Sequence, residues 1–148
     1  MLLTKNIKIR EVCAPISAAN NTDQNTDILD MQNWDGVVFI TPITDSVANG
    51  VAKIQVEQNT SNSDTGMAAL SGAYATATSA ENDDLNNTLL VVDVYRPRER
   101  YVQAAITSTT ANIAFGTTIA IQYKGRKFPI TQDSTIQDIA QVVSPAEA

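Results

Sequence analysis

The side chains best equipped for chemistry in this chain are carboxylates, because it has no histidine and a single cysteine, Cys13. Asp27, Asp30 and Asp35 lie close together in sequence, as do Glu81, Asp83 and Asp84. Two carboxylates facing one cleft would suit glycoside hydrolysis, and grouped loop oxygens would suit calcium. Nothing in the residue order pairs two acids across a cleft, and Asp30 to Gly36 departs from the EF-hand spacing. Solvated loop acids are the plainer reading. Without histidine, Ser–His and Cys–His pairs and the usual zinc ligand sets lose a member. One cysteine cannot close an intramolecular disulfide, and Cys13 reads as a small buried hydrophobe. No catalytic residue, metal ligand or cofactor is assigned, and no enzymatic activity is expected.

The basic residues come next. Nine of the ten fall into three groups: Lys5, Lys8 and Arg10; Arg96, Arg98 and Arg100; and Lys124, Arg126 and Lys127. The net charge of −6 argues against nucleic-acid binding over a broad surface. Arg96, Arg98 and Arg100 interleave with Pro97 and Glu99 at what reads as the tip of a hairpin. Their planar forks suit the carboxylates of a partner, while the competing reading pairs them with Glu99 and Asp93 of the same molecule. Trp34, Tyr74, Tyr95, Tyr101 and Tyr123 suggest a sugar-stacking platform, but at 5% aromatic content core or interface packing is the plainer expectation.

The elements that must position these groups read as strands. At 148 residues, with 43% hydrophobic and 18% charged, the chain has globular composition and the length of one domain. Ile7 and Ile9 alternate with Lys8 and Arg10 in a first strand. Asn20 to Asp27 reads as a loop, and Gly36 to Thr41 is a continuous β-branched and aromatic run expected to be a buried strand. Asn49-Gly50 marks a turn, after which Ile54 and Val56 alternate with Lys53, Gln55 and Glu57. Asn59 to Thr65 is a second polar loop. Gly66 to Ala80 carries both helical and strand spacing, with a strand favoured for its second half.

Thr88 to Tyr95 places Leu90, Val92 and Val94 on one face, and Tyr101 to Thr107 does the same with Val102, Ala104 and Ile106. With Pro97 between them the two are expected to form a hairpin. Ile119, Ile121 and Tyr123 alternate with Ala120 and Gln122 in a further strand that ends at Lys124-Gly125. From Thr131 the pattern changes: Ile136, Ile139, Ala140 and Val143 recur with helical period, and Ser134 with Gln137 resembles a capping box. An extended arm docking a few apolar residues on a neighbour fits equally, and Ser144-Pro145 would end either. The fold class is therefore all-β, a two-sheet antiparallel sandwich of jelly-roll type spanning 1–148, with 131–148 as a C-terminal arm. No apolar run is long enough for a membrane helix, and Met1 to Asn6 lack the apolar core of a signal peptide, so synthesis and folding in a cytoplasm are expected.

Three stretches together carry a resemblance. Asp27-Ile28-Leu29-Asp30-Met31 leads into Gly36-Val37-Val38-Phe39-Ile40. The segment from Val91 through Tyr95-Arg96-Pro97-Arg98-Glu99-Arg100-Tyr101-Val102 precedes Thr110-Ala111-Asn112. Ile119 to Tyr123 and Lys127-Phe128-Pro129 then lead to a Ser144-Pro145-Ala146-Glu147 tail. In these stretches the chain resembles small jelly-roll virion proteins of tailed bacteriophages that decorate or cement the capsid shell. The resemblance implies a structural role without catalytic residues. It implies location on the capsid surface, the major capsid protein as partner, and a homo-oligomer with trimers favoured. Arg96, Arg98, Arg100, Lys5, Lys8, Arg10, Ile136 and Ile139 are the interface residues expected on this reading, with Ile7 and Ile9 as further docking anchors. A glycan- or calcium-binding sandwich module on the phage head or tail is the alternative.

Overall fold

Strands that bury one face need an apolar residue at every second position, and most of the chain is written that way. The computed structural model describes residues 2–143 and 147. After a short 3-10 turn at Leu3–Lys5, the strands are β1 (Ile7–Cys13), β2 (Ile16–Ala19), β3 (Asp23–Asn25), β4 (Leu29–Asp30), β5 (Gly36–Ser46), β6 (Val51–Asn59), β7 (Ala68–Thr78), β8 (Thr88–Tyr95), β9 (Tyr101–Thr109), β10 (Ile113–Phe115) and β11 (Thr118–Tyr123).

They form two antiparallel sheets. The first runs β1-β11-β5-β8, with β2 and β10 continuing it beside the far half of β5. The second runs β3-β9-β6-β7, with β4 also on β9. Counting β3 with β4 and β10 with β11 as broken single strands, and β2 with the β1 edge, gives eight. Their spatial orders are 1-8-3-6 and 2-7-4-5, which is the jelly-roll arrangement. The chain is thus an all-β two-sheet sandwich.

Between the sheets, Phe39, Phe115, Leu29, Ile43, Ile54, Ile106 and Ile113 are almost fully buried, each contributing about 1.5–3 kcal/mol by removal from water. Three polar side chains inside this layer are satisfied locally. The hydroxyls of Thr41 and Thr118 bond each other at 3.0 Å. The Gln122 amide donates to the Asp30 carbonyl at 2.9 Å.

The structure departs from the sequence expectations in three places, and at the C-terminal segment it takes one of the two readings left open. Thr88–Tyr95 and Tyr101–Thr109 are not a hairpin. β8 pairs with β5 in one sheet, and β9 pairs with β6 in the other, in register from Val51↔Thr109 to Asn59↔Tyr101. The Arg96–Arg100 segment is therefore a corner between sheets. Two strands that each follow a turn look like a hairpin locally, and only their distant partners decide otherwise. The polar stretch 20–27 is not wholly a loop, since Asp23–Asn25 adds an edge strand to β9. Residues 68–78 are strand throughout, the helical spacing being broken by a bulge at Gly72, which has φ +75°. No helix forms over 131–143; that segment is irregular, with a turn at Ser134-Thr135. Ser144-Pro145 lies outside the described residues.

Candidate functional site

Register decides which residues share a face, because side chains directly opposite each other on paired strands point the same way. On the β1-β11-β5-β8 sheet the inward set includes Val37, Phe39, Thr41, Leu90, Val92, Thr118, Ala120 and Gln122. The outward set follows from the pairings Ile9↔Ile121, Ile119↔Ile40, Ile121↔Val38, Ile40↔Val91 and Pro42↔Leu89. Ile9, Ile119, Ile121, Val38, Ile40, Pro42, Leu89 and Val91 therefore form one apolar field across four strands. Leu89, Val91 and Ile119 are 58%, 47% and 37% exposed.

The other sheet obeys the usual rule. Its outer face presents Lys53, Gln55, Glu57, Thr107, Tyr74 and Thr76 and is largely polar, with Val51, Ala69, Ala105 and Tyr101 the scattered apolar members of the same register. An antiparallel sheet with a wet outer face ordinarily alternates apolar-in and polar-out. Here Leu89, Val91 and Ile119 are exposed and Ile9, Val38, Ile40, Pro42 and Ile121 half-buried among them, and an apolar field of this kind on an outer sheet face suits an interaction surface.

At one end the field terminates in aromatic rings. Gly36 lies between Tyr95 of β8 and Tyr123 of β11, and the Tyr123 ring covers it so closely that a Cβ there would overlap the ring. The two rings lie nearly parallel, 8° apart, with centroids 6.5 Å apart. The Tyr123 hydroxyl donates to Asp93 at 2.6 Å. Burial, together with the Asp93 carboxylate, pushes the Tyr123 phenol well above its ordinary pKa. Lys124 Nζ and the Arg96 guanidinium stand 5.0 and 5.1 Å from the Tyr95 ring centre, a cation–π arrangement on a half-exposed ring.

The sequence-predicted acids and arginines meet one another. Arg10 pairs with Asp27 at 2.8 Å, Arg100 holds Asp30 through two bonds of 2.9 and 2.7 Å, and Arg126 pairs with Asp35. The three neighbouring aspartates thus each take an arginine from a different distant segment. The Arg100 bond holds the Asp30 carboxyl below its ordinary range. Asp30 and Arg100 are each more than two-fifths exposed, so this is a surface pair of modest worth.

In the second acidic group, the Ser79 hydroxyl and the Ala80 amide bind Asp84 and lower its pKa. Asp83 sits at φ +66° and accepts from Asn86. Among the described residues, no three histidine, cysteine or carboxylate side chains gather as a metal-ligand group. Trp34 is half-buried against the core and faces a polar cleft of about 470 Å³, whose walls include Arg96, Arg98, Arg100 and Arg126.

Of the expected interface residues, Arg96 and Arg98 are exposed at the intersheet corner. Arg100 is tied to Asp30 and Gln32 rather than to Glu99 or Asp93. Lys5 is exposed beside the first strand, whereas Lys8 and Arg10 both reach Asp133, at 3.8 and 3.6 Å. Ile136 is half-buried and Ile139 is 37% exposed. Ile7, expected to be free as an anchor, is 7% exposed and belongs to the molecule's own packing. Ile9 lies on the apolar field.

The sequence reading missed the field itself. Its signal was present in two continuous runs, Gly36 to Thr41 and Leu89 to Val92. Apolar residues at every position mean two apolar faces, and in an antiparallel sandwich one of those faces is outside.

No protein-family model matches the chain, and no curated protein matches it. Among solved structures, it is similar to the Clostridium thermocellum N-terminal endo-1,4-β-D-xylanase 10B CBM22-1–GH10 modules complexed with xylohexaose. The match has 11% identity and a TM-score of 0.42, covering 88% of this chain and 28% of that one.

Proposed function

We propose that this chain is a structural protein of a tailed-phage particle, a decoration or cement subunit that works by adhesion to the capsid shell. The observation that carries the proposal is the apolar outer face of the β1-β11-β5-β8 sheet, set against the polar outer face of its partner sheet. Leaving Leu89, Val91, Ile119 and Tyr95 in water forfeits burial energy that an assembled state recovers. Attached in many copies, such subunits sum individually weak contacts through avidity. Bridging neighbouring capsid subunits would add interfaces that the pressure of packed genome must break. The exposed Arg96 and Arg98 at the corner suit acidic groups on the shell.

The test is a particle lacking this chain. High copy number on wild-type particles, and earlier rupture of the deletion particles on heating or osmotic shock, are the expected results. Particles of unchanged composition and robustness would end the proposal. The glycan-binding alternative gains least support at the tyrosines: Tyr123 is engaged with Asp93, and two cations stand over Tyr95.

A further inference from the structure

The two ends of the apolar field carry opposite charge, and that polarity selects an occupant. At the Tyr95–Tyr123 end stand Arg96 and Lys124. At the other end, beyond Leu89, the loop before β8 carries exposed Glu81 and Asp83, its position fixed by the Asp83 amide on the Ser46 carbonyl at 2.8 Å. Between the ends lies a largely apolar strip; among the described residues its charged side chains are Asp93, which accepts from Tyr123, and Glu11, which stands on the β1 edge in the row of Ile119, Ile40 and Val91.

We propose that a second copy of this chain packs on this face, sheet against sheet, about a twofold axis that lies between the sheets and runs across the strands, a dimer in place of the trimer that the resemblance implies. This rests on the face being an assembly surface, as proposed above, and names what covers it. Such an axis reverses strand direction. It sets Arg96 and Lys124 of each copy over the Glu81–Asp83 loop of the other while the apolar strips coincide. An axis along the strands would bring like charges together at both ends, so the charge pattern favours one geometry and opposes the other.

The dimensions fit. Four strands about 4.8 Å apart, each about 20 Å long, give a footprint of roughly 400 Å² before side-chain relief is counted. The loops at both ends extend it toward the roughly 800 Å² per partner of a standard interface. Flat β-branched faces pack about 10 Å apart, as the two sheets inside each sandwich do. Shell contacts would then fall to Arg98 at the intersheet corner and to the terminal segments.

Light scattering on the purified full chain across a dilution series tests this. The expected mass is that of two 15.9-kDa chains. The double variant Leu89→Asp, Val91→Asp should run as one chain with an unchanged circular dichroism spectrum, while Thr76→Asp on the polar face keeps the dimer. Glu81→Lys should raise the dimer Kd about tenfold at low salt, since two symmetric contacts change at once, and by less at high salt.

A wild-type chain of single mass at every concentration would overturn the proposal, as would a dimer indifferent to Leu89→Asp, Val91→Asp. Sedimentation with particles lacking the chain separates the two levels. A wild-type monomer that binds particles, and loses that binding in the double variant, removes the second copy and leaves the face an assembly surface. A double variant neutral in both mass and particle binding removes both.

Discussion

At the scale of single residues, the interior polar groups make the sharpest stability predictions. The Thr41 and Thr118 hydroxyls have each other inside a layer where both side chains are fully buried. Thr41→Val leaves the Thr118 hydroxyl without that partner and should cost about 1–3 kcal/mol, whereas Thr41→Val with Thr118→Val should recover most of the loss. Urea unfolding of the two variants checks this, and equal destabilisation of single and double would refute it.

The carboxylates set the response to acid. Asp30, lowered by Arg100, and Asp84, lowered by Ser79, bind protons more weakly folded than unfolded. At Asp133, burial alone would raise the pKa, but bonds from Thr135 together with Arg10 and Lys8 outweigh it. The stability these groups supply is therefore complete above the ordinary carboxylate pKa of about 4 and is lost as the pH falls through their lower folded values. Asp30→Asn should flatten part of that decline, with little effect at neutral pH beyond the roughly 0.2–1 kcal/mol of an exposed pair. Thermal melts at descending pH read it directly.

At the scale of elements, the free edge of β1 is closed by a side chain rather than a strand. Gln132 accepts from the Ile9 amide at 3.0 Å and donates to the carbonyls of Thr4 and Ile7 at 2.8 and 2.7 Å. One carboxamide thus does what a neighbouring strand would do, and Thr135 takes the Glu11 amide next along. Gln132→Ala should raise the hydrogen-exchange rate of the Ile9 amide sharply while leaving β6 and β9 amides protected. Uniform loss of protection across both sheets would show instead that the clamp holds up the whole fold.

This clamp marks the boundary of what the sequence reveals. The strands with clean alternation, such as β6 and β9, are legible because period-two patterning forces one face inward. The segment after Thr131 is not, since its helical spacing of Ile136, Ile139 and Val143 competes with tertiary bonds made by Gln132, Asp133 and Thr135 to residues over a hundred positions away. The corner at Arg96–Arg100 misleads for the same reason: local turn chemistry does not say which sheet the next strand joins. In β11 alternation is plain, yet its isoleucines face out, because Thr118 and Gln122 find buried partners that Ile119 and Ile121 do not need. The charged candidates were visible by type, but their pairing with Asp27, Asp30 and Asp35 required the fold.

At the scale of the whole molecule, the asymmetry between the two outer faces dominates. The face bearing Lys53, Gln55, Glu57 and Thr76 suits water, and the face bearing Val38, Ile40, Leu89 and Val91 suits another surface. Half-exposed positions on the second face contribute modestly to folding of the isolated chain, so Val91→Asp should change its unfolding free energy by about 1 kcal/mol or less while abolishing association through that face. A chain whose chemistry is adhesion separates those two quantities; a merely misplaced core would lose both together. The most direct measurement is a reconstruction of the intact particle at side-chain resolution. It should place many copies of this sandwich on the shell with Leu89, Val91 and Ile119 buried against protein. Particles without the chain, or copies whose Leu89–Val91–Ile119 face looks into solvent, would contradict the proposed function.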